Sequence, residues 1–306
     1  MSEQYKGYKN LDGNKKKQKA LPLSVLRKMH EVSYNKWEHA VTQLLVLAIF
    51  FAMRSCEFLQ TSHHEESKRT KIIRLKNIIF KKKGRTIQHS ANISVLSSAE
   101  LVILTFEFQK NEWRNHSVHM WNTNDNLLCP VKAAANIVKR VQQVTGYSNS
   151  SKICSYQTED GKVIDINSSQ VLPRLRSVVS LIGEHILGFS EKDIGLHSIR
   201  SGGAMAMFLS GISTIIIQRV GRWSSEAFLE YIREQVESFT FGVSQKMLNF
   251  EHFHNLNEEN DVQMLEEEAD VDIFKGYKGD GQKPIDIEHQ LHFSELSLHS
   301  KPILCF

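Results

Sequence analysis

The stretch from residue 195 to residue 233 reads GLHSIRSGGAMAMFLSGISTIIIQRVGRWSSEAFLEYIR, and it carries the most specific chemical pattern in the chain. Apolar residues recur at helical intervals before Gly211, which predicts a helix over 198–210 that ends at this glycine. Ser213 can cap a second, short helix, and Ser225 can cap a third. We therefore expect three consecutive helices joined by tight turns.

Four polar or aromatic side chains lie at the joints of these predicted helices or within them. His197 and Arg200 stand where the first helix starts, Trp223 lies between the second and third helices, and Tyr231 lies inside the third. The small residues of 202–206 weaken helix propensity, so we expect another part of the backbone to approach that face closely. The sequence thus predicts that chemistry-bearing residues are held by close-packed helices.

A second arginine follows a strongly apolar segment near the other end of the chain. Leu44 to Met53 is the longest apolar run, and Arg54 follows it directly, with Glu57 three positions later. The run predicts a buried helix from about 36 to 53. A rigid core helix would therefore deliver Arg54, and Glu57 would orient its guanidinium or the neighbouring backbone.

These motifs together resemble the catalytic domain of tyrosine recombinases, the phage-type integrases. The resemblance rests on His-x-x-Arg, the Gly-Arg-Trp turn, the tyrosine eight residues after Trp223, and the upstream Ala-x-Arg-x-x-Glu of 52–57. It implies an α+β, mainly helical fold with a small antiparallel sheet. Within the family, the pattern around 221–233 is similar to integrases of eukaryotic mobile elements of the DIRS and Crypton kinds.

A β-hairpin carries a catalytic lysine in this family. Alternating residues over 101–109 and 116–121 flank a polar turn and predict such a hairpin. Lys110 at its tip is the best candidate for the hairpin lysine, and Lys81 and Lys83 are its rivals. We also expect strands over 71–80 and 85–95, helices over 24–31, 131–144 and 170–186, and a polar loop over 145–169.

The resemblance implies a cleavage mechanism for a DNA phosphodiester. The Tyr231 hydroxyl attacks the scissile phosphorus and forms a 3′-phosphotyrosine, while Arg54 and Arg200 hold the two non-bridging oxygens. Lys110 protonates the departing 5′ oxygen. The remaining two residues have supporting roles, since His197 assists proton removal from Tyr231 and the Trp223 indole donates to the phosphate or packs beneath it.

The implied activity is DNA strand exchange, as in site-specific recombination or integration. The phosphotyrosine bond conserves the energy of the diester, so neither ATP nor a cofactor is implied. Exchange between two duplexes implies a homo-tetramer on double-stranded DNA. Family members usually carry a separate helical DNA clamp before the catalytic domain, whereas only about 20 residues precede it here. We therefore expect either that a separate N-terminal partner supplies the clamp or that the chain is a truncated or degenerate copy.

The charge distribution predicts three regions. Residues 256–306 hold twelve acidic and four basic residues, which leaves 34 basic and 22 acidic residues before them. A basic body suits a polyanionic partner. We expect a basic flexible arm over 1–17, the catalytic domain over 18–255 and an acidic, disordered tail over 256–306.

Cysteine and hydropathy patterns narrow the class of protein. The four cysteines are scattered and predict reduced thiols, and no histidine or cysteine spacing indicates a metal site. The longest apolar run is about half a membrane span. We expect an intracellular protein, nuclear in a eukaryote, that has no metal, no cofactor and no membrane partner.

Two other functions stay open on the sequence alone. One is a non-catalytic DNA-binding relic or regulator of recombinase origin, because the helices around Gly211 also fit a helix-turn-helix. The other is DNA relaxation of the type IB topoisomerase kind, which uses a similar set of tyrosine and arginines.

Overall fold

The computed structural model describes residues 18–61, 71–108 and 114–223 of the 306-residue chain. Its described α-helices are α1 (Leu23–Glu31), α2 (Lys36–Phe50), α3 (Ser55–Phe58), α4 (Ile93–Ser97), α5 (Pro130–Gln142), α6 (Ser168–Ile182), α7 (Glu184–Leu187), α8 (His197–Leu209) and α9 (Thr214–Gly221). Its described strands are β1 (Ile78–Lys82), β2 (Arg85–Ile87), β3 (Leu101–Phe108), β4 (Arg114–Trp121), β5 (Ser155–Gln157) and β6 (Val163–Asp165). The predicted class, α+β and mainly helical with a small antiparallel sheet, is confirmed.

The chain divides into two units, Met1–Ser238 and Phe239–Phe306, and every described residue lies in the first. The predicted arm over 1–17, the tail over 256–306 and the third helix from Ser225 lie outside the described residues. None of the described helices is both long enough and apolar enough to span a membrane.

The main sheet has four antiparallel strands in the order β2-β1-β3-β4. Phe80 of β1 lies opposite Val102 of β3, and Leu104 of β3 lies opposite Val118 of β4. These residues share the buried face of the sheet, which α5 covers. The predicted β3–β4 hairpin is confirmed, and its strands run to Phe108 and from Arg114.

The expected strands over 71–80 and 85–95 are only partly correct. A single 3-10 turn, Leu75–Asn77, precedes β1, because the Asn77 side chain accepts a 2.8 Å bond from the Arg74 backbone. β2 ends at Ile87, and the chain then forms helix α4 instead of a strand. The break coincides with His89, whose ring bonds to the Ile78 carbonyl at 2.9 Å, where a longer β2 would lie opposite β1.

The region 145–169 is not simply a polar loop, since it contains the two-stranded β5–β6 sheet. The predicted helix over 170–186 is divided at Gly183, whose φ of 93° separates α6 from α7. Both differences concern short elements. Three-residue strands and a one-turn helix are too short to show a sequence period.

Helix α8 crosses the core with its glycine face against two other segments. A Cβ on Gly202 would lie 2.1 Å from the Leu21 carbonyl oxygen, and one on Gly203 would lie 2.3 Å from the Ile49 oxygen. The prediction that small residues admit a close backbone approach is confirmed. This contact places the start of α8 beside the end of α2, which is where the functional residues lie.

Candidate functional site

Arg54 is held at a sharp turn that ends the buried helix α2. The helix stops at Phe50 rather than at the predicted 53, because Ala52 adopts a left-handed φ of 42° and the Met53 N–H bonds to the Ala48 carbonyl at 2.8 Å. The chain then extends, and Arg54 becomes the N-cap of α3. The predicted delivery of Arg54 by a rigid core segment is therefore seen, with the helix three residues shorter.

Glu57 fixes Arg54 through both its backbone and its side chain. The Arg54 N–H donates to Glu57 Oε2 at 2.7 Å, and its guanidinium donates to Oε1 at 3.1 Å. The carboxylate is 1% exposed, whereas the Arg54 side chain keeps 22% of its surface exposed. Arg54 is thus oriented from the protein side and still accessible from outside.

Arg200 projects from the first turns of α8 toward the same place. Its guanidinium donates to the Ala52 carbonyl at 2.6 Å and to the Gly221 carbonyl. The residue is 2% exposed. Arg200 therefore links the turn before Arg54 to the end of α9, and its guanidinium is far less accessible than that of Arg54.

Trp223 covers one face of Arg200. The guanidinium carbon lies 4.1 Å from the centroid of the indole ring, and Trp223 itself is 8% exposed. The ring also lies directly on Gly221, where an added Cβ would be 1.5 Å from a ring carbon. A glycine at 221 is thus required for the indole to stack on Arg200.

His197 is the first residue of α8, and it is exposed on one side while its ring packs partly against the protein. Desolvation of the ring against the protein lowers its pKa, and the positive charges of Arg200 and Arg54 lower it further. Because the shift is downward from 6.5, the imidazole is mostly neutral at pH 7. A neutral imidazole beside two arginines can accept a proton.

A third arginine, Arg222, belongs to the cluster and was not among the predicted site residues. It is fully buried and donates to Glu57 Oε2 at 2.7 Å and to the Phe51 carbonyl at 2.9 Å. Arg222 is the middle residue of the Gly-Arg-Trp turn. The sequence did not single it out, because no local pattern distinguishes a buried arginine from an exposed one at a helix end. Its burial depends on residues that are 165 to 171 positions away.

The cluster is an electropositive site built around one carboxylate. Burial raises the pKa of Glu57, but Arg222, Arg200 and Arg54 outweigh that effect, so its pKa lies below the ordinary value. One negative charge thus faces three positive charges. Such an excess, with Arg54 at its open side, can bind an anion such as a phosphate.

The β3–β4 hairpin also contacts this arginine cluster. Phe106 of β3 lies under Arg222, with its ring centroid 3.7 Å from the guanidinium carbon. His116, opposite Phe106 on β4, bonds to the Arg219 carbonyl, and burial followed by the Arg222 charge lowers its pKa. The end of the hairpin nearest its tip therefore packs on the end of α9.

Two predicted site residues cannot be compared with the geometry. Lys110 and Tyr231 lie outside the described residues. Of the rival lysines, Lys81 pairs with Leu101 at the far end of β3, and Lys83 lies in the β1–β2 turn with a φ of 49°. The structure thus brings together five of the predicted residues, namely Arg54, Glu57, His197, Arg200 and Trp223.

The described residues contain no group of three or more His, Cys, Asp or Glu side chains that could hold a metal ion. Cys129 and Cys154 are buried free thiols.

No protein-family model and no curated protein matches the sequence. Among solved structures, a pre-cleavage complex of the XerH site-specific recombinase with difH substrate matches with a TM-score of 0.43 and 13% identity, over 72% of this chain and 51% of that chain. Its post-cleavage complex with palindromic difH gives a TM-score of 0.47 and 13% identity, over 76% and 54% of the two chains. The Tn1549 transposon integrase in complex with circular intermediate DNA gives 0.36 and 10%, over 72% and 62%. The chain thus spans about half the length of the XerH chains that it matches.

Proposed function

We propose that this protein breaks and rejoins strands of double-stranded DNA by transesterification through Tyr231. The observation that supports this function best is the meeting of Arg54 and Arg200, where Arg200 donates to the carbonyl of Ala52 two residues before Arg54. His197 and Trp223 complete the same site. Two guanidinium groups and a neutral imidazole are the groups that cleavage of a phosphodiester anion requires around a nucleophile.

The arginines bind and neutralise the scissile phosphate in this proposal. Arg54 has the accessible guanidinium and contacts one non-bridging oxygen, while Glu57 fixes its direction. Arg200 donates hydrogen bonds to the second non-bridging oxygen. Trp223 stacks on one face of Arg200, which places the indole beside the bound phosphate, where its N–H donates to the phosphate or its ring packs beneath it. The loss of either arginine should cost about 3 to 4 kcal/mol of transition-state stabilisation.

Two proton transfers accompany the reaction. His197, neutral because its pKa is lowered, accepts the proton of the Tyr231 hydroxyl as the phosphorus–oxygen bond to tyrosine forms. The 5′ oxygen leaves with a proton from Lys110. The contact of Phe106 with Arg222 supports this role for Lys110, because it holds the hairpin against the arginine cluster.

Strand exchange follows when a 5′-hydroxyl of another strand attacks the phosphotyrosine and releases Tyr231. We propose that a homo-tetramer performs this exchange on DNA. We also propose that the chain derives from a eukaryotic mobile element of the DIRS or Crypton kind and acts in the nucleus. The basic excess before residue 256 suits a DNA partner.

A suicide-substrate assay tests the reaction. The full chain is incubated in EDTA with nicked duplexes made from the flanks of its own gene, and adducts resistant to SDS are counted. We expect an adduct that Tyr231→Phe abolishes and Arg54→Lys strongly reduces. Relaxation of supercoiled plasmid by the monomer, without recombinant products, would instead indicate a topoisomerase. DNA binding without any adduct would favour a non-catalytic relic.

A further inference from the structure

Arg222 contacts several of the segments that form the site. It follows α9 in a left-handed conformation, with φ 59° and ψ 44°, and its guanidinium turns back to bond the Val220 carbonyl at 2.8 Å. The same group bonds the Phe51 carbonyl at the end of α2 and the carboxylate of Glu57. One fully buried side chain therefore joins α9, the turn before Arg54 and the carboxylate that orients Arg54.

The face of the same guanidinium joins the hairpin to these segments. It stacks 3.7 Å above the Phe106 ring, whose side chain is buried. Arg222 is thus held on its edges by hydrogen-bond acceptors and on one face by an aromatic ring. A planar, five-donor group can make these contacts together, and a lysine cannot.

Stability alone does not account for a charge at this position. Burial lowers the pKa of Arg222, and Glu57 is the group that most raises it. A buried ion pair is often no more stabilising than apolar side chains of similar volume. The arginine places a fixed positive charge and fixed donors beside Glu57, which an apolar side chain would not.

We propose that Arg222 is a positioning residue, which acts through Glu57 to hold the Arg54 guanidinium in the direction that binds the scissile phosphate. Glu57 divides its oxygens between the two arginines, since Oε1 accepts from the Arg54 guanidinium and Oε2 from Arg222 and from the Arg54 backbone. Without Arg222, the carboxylate keeps only its hydrogen bonds to Arg54 itself, so Arg54 loses a partner that is anchored from the other side. This role rests on the proposed function. Because Arg222 is fully buried, we expect it to act without contacting the DNA.

The first test separates binding from chemistry. The full chain and its Arg222→Lys and Arg222→Met variants are compared for DNA affinity and for single-turnover cleavage of nicked duplex. We expect affinities within about 2-fold and a cleavage rate about 100-fold lower in Arg222→Met, the effect of losing one oriented donor. Arg222→Lys keeps the positive charge but not the planar set of donors. We therefore expect its cleavage rate to lie between those of Arg222→Met and the wild type.

The second test identifies Arg54 as the group through which Arg222 acts. A methylphosphonate at the scissile position removes the charge that Arg54 neutralises. The defects of Arg54→Met and Arg222→Met should therefore shrink together on this substrate, to about 10-fold or less. Arg140→Met is the matched control, because Arg140 also bonds a buried carbonyl, that of Ile153, but lies outside the cluster. Its defect, if any, should be the same on both substrates.

A third measurement does not depend on catalysis. The Arg54 guanidinium signals of ¹⁵N-labelled protein, assigned with Arg54→Lys, report the rotation of that group. We expect separate Nη signals in the wild type and averaged signals in Arg222→Met. Unchanged Arg54 signals in Arg222→Met would overturn the positioning role, and so would a cleavage defect of equal size on both substrates. An absence of adduct with the wild-type chain would instead overturn the proposed function.

Discussion

The Trp223 indole stacks on the Arg200 guanidinium at 4.1 Å, and this arrangement depends on the absence of a side chain at Gly221. A Cβ at position 221 would overlap the indole, while the backbone there needs no glycine conformation. Gly221→Ala should therefore destabilise the fold by about 1 to 3 kcal/mol through overpacking. Urea unfolding measures this loss.

The cause can be isolated by removing the ring. In a Trp223→Ala background, Gly221→Ala should cost almost nothing, because its Cβ then meets no indole. Gly211→Ala is the control, since Gly211 has open space around it and a φ of 77°. It should cost about 1 to 2 kcal/mol in both backgrounds, from backbone strain alone. An equal cost of Gly221→Ala in both backgrounds would contradict the stacking geometry.

Glu57→Gln should remove a pH-dependent part of the stability. The folded-state pKa of Glu57 lies below its ordinary value of 4.5, so its charge stabilises the fold above that pH and the contribution disappears as the pH falls through the folded-state pKa. At pH 7 the variant leaves Arg222 buried without its carboxylate, so we expect a loss of about 3 to 5 kcal/mol. The difference from the wild type should shrink on acidification, as measured by denaturant unfolding between pH 7 and about pH 3.

The control for that experiment is Glu107→Gln. Glu107 forms an ion pair with Lys76 in which the two side chains are 27% and 47% exposed. The substitution should cost less than about 1 kcal/mol, because exposed pairs are screened by solvent. A Glu57→Gln variant as stable as the Glu107→Gln variant at pH 7 would show that Glu57 is not the buried centre of the arginine cluster.

The pKa of His197 should rise when Arg54 is removed. Desolvation and the charges of Arg200 and Arg54 disfavour the imidazolium form, so Arg54→Met should shift the pKa upward, toward 6.5. NMR titration of the His197 ring signals in the unbound protein measures this shift without any substrate. Arg27→Met, which breaks the exposed pair with Asp125 instead, should leave the titration unchanged. A downward shift in Arg54→Met would contradict the proximity of the two residues.

The sequence predicts the parts of this fold that have a local pattern. The alternation over 101–121 predicts the β3–β4 hairpin. Gly211 predicts where α8 ends, and the Ser213 cap predicts where α9 begins. Small residues in α8 predict its close contacts with Leu21 and Ile49. In each case, neighbouring residues contain the information that determines the structure.

The missed features depend instead on contacts between distant segments. The end of β2 coincides with the bond between His89 and Ile78, and the burial of Arg222 is set by Phe51 and Glu57. Neither contact produces a period or a composition change in the sequence. The role of Arg222 therefore could not be predicted from the sequence, because it depends on how α2, α9 and the hairpin pack against one another.

The position of Lys81 in the sheet bears on which lysine protonates the leaving 5′ oxygen. Lys81 is paired with Leu101, five positions along β3 from Phe106, which corresponds to about 17 Å of strand. Leu101 and Phe106 are an odd number of positions apart on β3, so their side chains lie on opposite faces of the sheet. Lys81, paired with Leu101, therefore lies on the face opposite Phe106. Lys110 follows Phe108 by two residues in the sequence, and Phe106, which contacts Arg222, lies two residues before Phe108. We therefore expect Lys110, and not Lys81 or Lys83, to protonate the leaving 5′ oxygen.

A substrate with sulfur in place of the bridging 5′ oxygen distinguishes these lysines. A thiolate is a good leaving group that needs no proton, because the thiol pKa is far below that of an alcohol. Lys110→Ala should therefore cleave the normal substrate about 100-fold or more slowly than the wild type and the sulfur substrate at nearly the wild-type rate. Lys81→Ala and Lys83→Ala should have small effects that do not depend on the leaving atom. Rescue by sulfur in Lys81→Ala or Lys83→Ala, and not in Lys110→Ala, would transfer the role to that lysine and would mean that the hairpin tip does not reach the reacting phosphate.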